Sequence, residues 1–105
     1  MEQPNLEYIK EIAGGDPSFI DKLLEVVKNE LPGEIELYKK NFNDSAFAKA
    51  AENVHKLKHK LGILGLSQGY ELAIEYEDEL KNGKYTLKNK FESLLDSCIR
   101  FINDL

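Results

Sequence analysis

The stretch AFAKAAENVHKLKHKLGILGL, residues 46–66, combines a regular apolar stripe with a polar opposite face. Apolar residues recur in it every three or four positions, which predicts an amphipathic helix; they are Phe47, Ala50, Ala51, Val54, Leu57, Leu61 and Leu64. At about 100° per residue, Lys58, His59 and Gly62 fall within about 60° of His55, on the side away from this stripe. We therefore expect one helix that packs through its leucines and presents His55 to solvent.

The segment before this helix carries the same periodicity over a longer distance. Apolar residues from Phe19 to Phe42 step by three or four positions and stay in phase across Pro32. This continuity predicts one long helix kinked at Pro32, where a backbone hydrogen bond is lost, although two helices broken there would also fit. Asp16 and Pro17 have the residue types preferred at the cap and the first position of such a helix.

The remaining segments also have helical signals. A short opening helix is predicted to end at Gly14 and Gly15, and two further helices have Ser67 and Thr86 as candidate caps. No alternating strand pattern occurs between hairpin turns. We therefore predict an all-α fold, an antiparallel up-and-down four-helix bundle with a short additional N-terminal helix, in one domain over residues 1–105.

Composition restricts the classes of function. The net charge of −5 disfavours nucleic-acid binding, which needs a basic face. No run of about 18 apolar residues and no secretory signal is visible, and the lone Cys98 cannot form an internal disulfide. These features lead us to expect a cytoplasmic monomer that binds neither membranes nor nucleic acid.

The face around His55 has the residue types of a surface that accepts a phosphoryl group. An exposed imidazole is a nucleophile, and Lys58 lies one turn away, where it can offset phosphoryl charge. Gly62 removes a side chain from the same face and leaves room for a partner to approach. Lys56, Lys58 and Lys60 form a local basic cluster, which a simply solvated helix face would also explain.

The stretch resembles the histidine-containing phosphotransfer (HPt) domain family. His55, Leu57, Lys58, Gly62 and Gly65 match the spacing of the family's motif around its histidine. The likeness extends to GDPSFIDKLLEVVKNELPGEIELYKK, residues 15–40, which is similar to the family's long second helix with its central proline, and to YELAIEYEDEL, residues 70–80. His59 departs from the pattern because the family usually has glycine or another small residue there. It could contact the phosphoryl group, crowd a partner or be neutral.

The resemblance implies a phosphocarrier without kinase activity of its own. His55 would accept a phosphoryl group from the aspartate of a response-regulator receiver domain, which could belong to a hybrid histidine kinase, and pass it to another receiver. Lys58 would neutralise phosphoryl charge, while Mg²⁺ would be held by the receiver and no cofactor by this chain. Around the histidine, His59 and Gly62 would govern partner access. Ile63 and Leu66 lie off the centre of the apolar stripe, so each is either a docking contact for the receiver or a core residue.

Three alternatives are weighed against this interpretation. One is a bundle that docks receivers without carrying phosphate. Another is a metal site formed by His55, His59 and Glu52, which the neighbouring lysines disfavour. The third is the dimerisation domain of a sensor kinase, which fits poorly because Lys56 replaces the usual acidic residue. The acidic run from residue 71 to 79 is interpreted as a solvated face with no chemical role.

Overall fold

The computed structural model describes residues 2–105, and over this range the chain forms five helices joined by short turns, with an N-terminal segment before the first helix and no strand. The helices are α1 (Glu7–Ala13), α2 (Pro17–Asn43), α3 (Phe47–Ile63), α4 (Ser67–Lys81) and α5 (Lys88–Asn103). The all-α prediction is therefore confirmed. None of the helices described is both long and apolar enough to cross a membrane.

Helix α2 runs through Pro32 without a break, so the interpretation as one long helix is correct and the two-helix alternative is wrong. It begins as the sequence predicts, because Asp16 accepts a hydrogen bond from the backbone N–H of Ser18 at 3.0 Å and Pro17 occupies the first turn. The helix buries one side chain per turn in the core, namely Val27, Leu31, Ile35 and Tyr38.

Helix α3 packs against both α2 and α4, and α5 packs against α2 and α4 in turn. Val54, Leu57 and Leu61 of α3 are fully buried among these helices. Within the core, the hydroxyl oxygens of Tyr38 and Tyr76 lie 2.5 Å apart, and because the Tyr38 hydroxyl donates to Glu92 at 2.9 Å, Tyr76 is the donor to Tyr38. The helix that carries His55 is thus held along its inner face by close apolar packing.

The chain leaves α3 just before Gly65, whose φ of +76° lies in the left-handed region. A Cβ atom there would collide with the side chain of Asn5, and the backbone N–H of Asn5 donates to the carbonyl of Leu64 at 2.8 Å. Gly65 is therefore needed both for the turn and for the close approach of the N-terminal segment.

The turn at Gly65 places Leu66 where it cannot have the docking role predicted for it. Leu66 is fully buried in the core and cannot contact a partner. The prediction was wrong because it extended the helical wheel of α3 beyond Leu64, where the helix has already ended and the chain has changed direction.

Lys60 also departs from its predicted place in a basic cluster. Its side chain is buried, and its ammonium lies 2.9 Å from Glu30 and 3.0 Å from Glu34, both on α2. Burial acts to lower the pKa of Lys60, but the contacts with the two carboxylates outweigh it, so that its pKa is raised. Lys60 therefore joins α3 to α2, and only Lys56 and Lys58 of the three lysines remain near His55.

We expect Lys60→Met to lower the free energy of unfolding by about 1–2 kcal/mol, because Glu34 would lose the cation that offsets its partial burial. Glu30 is more than half exposed and should add little. The measurement is urea denaturation, with the exposed Lys56→Met as the matched control. Equal stability of the two variants would contradict a role for Lys60 in joining the helices.

Candidate functional site

His55 lies in the middle of α3 with 52% of its side chain exposed, as the helical wheel predicts. Leu57, two residues later, is fully buried on the opposite face. The backbone of the helix is therefore fixed by its core residues while the imidazole remains accessible to another protein.

Helix α4 supplies a carboxylate that contacts the imidazole. Oε1 of Glu77 lies 3.1 Å from Nδ1 of His55, and Oε2 of the same carboxylate lies 3.0 Å from the ammonium of Lys81. Partial burial acts to raise the pKa of Glu77, but its hydrogen bonds with Lys81 and His55 outweigh burial and lower that pKa. Glu77 is therefore a carboxylate at neutral pH.

The Glu77 contact determines which ring nitrogen of His55 is free. An ionised carboxylate can only accept a hydrogen bond, so the 3.1 Å contact requires a hydrogen on Nδ1. The ammonium of Lys58, which can only donate, then makes no hydrogen bond to that nitrogen, from which it is the more distant of the two partners at 3.4 Å. In the neutral imidazole the other nitrogen, Nε2, then carries the lone pair. His55 is thus an exposed side chain whose ring is oriented by Glu77 at Nδ1 and whose Nε2 can act as a nucleophile.

Sequence reasoning missed Glu77. It is one of five acids in the run from residue 71 to 79, and nothing in the spacing along the chain distinguishes it from the other four. The contact joins residues 22 positions apart and depends on the packing of α4 against α3. Glu77 could have been identified from the sequence only if the register of α4 against α3 had been known.

Lys58 lies beside His55, one turn along α3. Its ammonium is 3.4 Å from Nδ1 of His55 and 5.5 Å from the centroid of the Tyr70 ring, a residue of α4. The ammonium thus rests between the imidazole and an aromatic face that also attracts cations. It lies within reach of the imidazole, as the sequence predicts.

The other predicted site residues occupy the surface on the same side of α3. The exposed ring of His59 packs edge to face against that of His55, with 5.4 Å between centroids. A Cβ atom at Gly62 would make an ordinary contact, 3.5 Å from Tyr70, so that helix packing does not demand glycine there. Ile63 is half-buried and packs against the core.

The metal-site alternative would require further ligands beside His55 and His59. In the range that the structure covers, residues 2–105, no group of three or more His, Cys, Asp or Glu side chains is arranged to hold a metal ion. Glu52 lines a depression of about 410 Å³ with His55, together with Lys56, Glu77 and Lys81.

Comparison with known proteins bears on the family of the chain. A family model described as "Hpt domain" matches residues 22–102, which is well over half of the chain and includes His55, Lys58 and Glu77. Curated proteins and solved structures give no match. The match over most of the chain, in keeping with the exposed histidine on α3, shows that this chain belongs to the Hpt domain family.

Proposed function

We propose that the chain is a histidine phosphotransfer protein of a two-component phosphorelay, with His55 as the phosphoacceptor. Membership of the Hpt domain family implies histidine phosphotransfer in such systems and interaction with receiver domains. The observation that carries the assignment to this residue is the contact of Glu77 with Nδ1 of the exposed His55, because it leaves Nε2 free to attack.

In the proposed step, the lone pair of Nε2 attacks the phosphorus of a receiver's aspartyl phosphate. The new N–P bond forms as the P–O bond to the aspartate breaks, and the aspartate leaves with the bonding electrons as a carboxylate. Nδ1 keeps its hydrogen, and the positive charge that develops on the ring is stabilised by Glu77. Transfer to another receiver is the reverse of these events.

The residues around His55 would neutralise and bind the phosphoryl group and leave space for the receiver. Phosphoryl transfer relies mainly on positioning and charge neutralisation, so the ammonium of Lys58, already next to the ring, would turn toward the phosphoryl oxygens. His59 could donate a hydrogen bond to those oxygens, and Gly62 would leave room for the receiver. The receiver would hold Mg²⁺, while this chain would work as a phosphocarrier without a cofactor or kinase activity.

The scaffold of this proposal is one domain whose four long helices run antiparallel, as their short connections favour. Such a bundle would need no change in its backbone conformation for phosphoryl transfer. His55 would be presented on a fixed helix, and only side chains at the surface, the half-buried Lys58 and the exposed Lys81, would have to reorient.

The test is to incubate the chain with each purified receiver domain of the source organism, phosphorylated by a small phosphodonor in Mg²⁺, and to follow the label. We expect acid-labile, base-stable phosphate on the chain, the stability expected of phosphohistidine. Binding of a receiver without transfer would instead support the docking-only alternative and contradict the proposal.

Glu77→Ala should slow transfer roughly tenfold, the equivalent of one hydrogen bond to a charged group lost from the transition state. Glu77→Gln keeps an acceptor without its charge, so we expect an intermediate rate. Nitrogen-15 NMR of the imidazole provides a second readout, because the share of His55 with its hydrogen on Nδ1 should fall in Glu77→Ala.

The matched control is Glu75→Ala, an exposed acid on the same helix. It should leave both the transfer rate and the His55 spectrum unchanged. An unaltered His55 spectrum in Glu77→Ala would show that Glu77 does not orient the ring, whatever the transfer rate.

A further inference from the structure

Helix α2 has a second, largely apolar surface outside the core, which we call the α2 seam. Its positions alternate in steps of four and three residues, the spacing of the contact residues in a coiled coil; they are Phe19, Leu23, Val26, Glu30, Gly33 and Leu37. At about 100° per residue, the centre of the seam lies about 115° around the helix from the four residues that α2 buries in the core. The seam is therefore a face separate from the core.

The large side chains of the α2 seam are open to solvent. Phe19, Val26 and Leu37 are 44%, 43% and 48% exposed. Within residues 2–105, α3 and α5 expose no large apolar side chain to this extent, and α4 exposes only Ile74. The described part of the chain thus leaves this one long apolar stripe uncovered.

Gly33 has no explanation in the packing of the chain itself. A Cβ atom there would meet no atom within 4 Å, and Gly33 is not among the glycines with positive φ. Glycine in a helix interior destabilises the helix relative to alanine. What Gly33 provides is a gap in the seam, where a large side chain of another helix can approach the backbone.

We propose that the α2 seam joins two copies of this chain through an antiparallel pair of α2 helices, in place of the monomer expected from the sequence. A two-fold axis midway between Phe19 and Leu37 makes the seam complementary to itself. Across the axis, each position faces a position of the second copy: Phe19 faces Leu37, Leu23 faces Gly33, and Val26 faces Glu30. Leu23 of each copy then enters the gap at Gly33 of the other.

Charges favour the antiparallel arrangement. Lys22 and Glu36 flank the seam on the side away from the core, both are exposed, and neither takes part in an ion pair within residues 2–105. In the antiparallel pair, Lys22 of each copy lies beside Glu36 of the other. Glu30 already has its charge offset by Lys60 at 2.9 Å. A parallel pair would instead set Glu30 against Glu30 and align the two gaps at Gly33.

The proposed dimer leaves the His55 surface free. Lys60, through which α3 contacts α2, lies about 140° around α3 from His55, and His55 contacts α4 instead. The dimer is thus independent of the proposed phosphotransfer. His55→Gln should dimerise as the unmodified chain does.

The test is sedimentation equilibrium of the intact chain at concentrations from about 1 µM to about 1 mM. We expect a monomer–dimer equilibrium with a Kd of roughly 10–100 µM, because the seam is smaller than the interfaces of stable dimers. Val26→Glu should raise Kd at least about tenfold, since it sets two carboxylates against each other across the axis. The matched control is Ile74→Glu, the same change at an exposed position of α4, which should leave Kd unchanged.

A charge exchange tests the antiparallel register. Lys22→Glu and Glu36→Lys should each raise Kd about fivefold by bringing like charges together, and the double variant Lys22→Glu/Glu36→Lys should restore it to within about twofold. Circular dichroism checks that the variants fold. A chain that is monomeric throughout the range, equal effects of Val26→Glu and Ile74→Glu, or a double variant as weak as the single ones would overturn the proposal. A monomer whose binding to a receiver domain is weakened by Val26→Glu would assign the seam to the receiver instead.

Discussion

His55→Gln should abolish the acid-labile, base-stable label that a phosphorylated receiver domain transfers to the chain. A glutamine amide cannot act as a nucleophile toward phosphorus, because its nitrogen lone pair is delocalised into the carbonyl. The side chain of His55 is half exposed and has no part in the core, so the fold should survive the substitution. The measurement is radiolabel retained on the chain after incubation with the phosphorylated receiver.

The matched variant is His59→Gln, which removes the neighbouring imidazole from the same face of α3. We expect it to keep the label, with a rate altered by less than about tenfold since at most one hydrogen bond to the phosphoryl group is lost. Label retained in His55→Gln and lost in His59→Gln would move the phosphoacceptor by one turn of the helix. Label retained in both variants would contradict the assignment to either histidine.

Leu57→Ala should lower the free energy of unfolding by about 2–5 kcal/mol, because it removes a fully buried side chain from the centre of α3 and leaves a cavity between helices. A domain of this size has a total stability of about 5–15 kcal/mol. The substitution thus removes a large part of the stability of the bundle. Urea denaturation followed by circular dichroism measures the loss.

Leu37→Ala makes the same chemical change at a position on α2 that is 48% exposed, and provides the control. Its cost should stay within about 0.5 kcal/mol, apart from any change in helix propensity. A loss of similar size in both variants would contradict the assignment of Leu57 to the core.

Local signals in the sequence predicted the helices and the accessible histidine. The spacing of apolar residues predicted α2 through Pro32 and the inner face of α3, and the wheel of α3 placed His55 in solvent. These predictions depend only on residues a few positions apart on one element, where helical geometry determines which side chains share a face.

The features that sequence reasoning missed depend on contacts between elements distant in the chain. Glu77 reaches His55 only through the register of α4 against α3, and Lys60 is buried only because Glu30 and Glu34 of α2 meet it. Leu66 was misplaced because the end of α3 depends on the turn at Gly65.

The starts of α4 and α5 also depend on contacts with residues from other parts of the fold. Ser67 and Thr86 were candidate caps, yet the residues at the cap positions are Leu66 and Leu87, which form no side-chain cap. Carboxylates of other segments bind the free backbone N–H groups there. Glu2 accepts hydrogen bonds from the backbone N–H groups of Gln68 and Gly69 at 3.1 and 3.0 Å, and Glu79 accepts one from Leu87 at 3.0 Å. Local cap rules cannot identify partners that only folding brings together.

Phosphorus–proton correlation NMR of the phosphorylated chain tests the central claim most directly, because it identifies the ring nitrogen that carries the phosphoryl group. The contact between Glu77 and Nδ1 predicts a single phosphohistidine, at Nε2 of His55. A phosphoryl group on Nδ1 of His55, or on either nitrogen of His59, would contradict it.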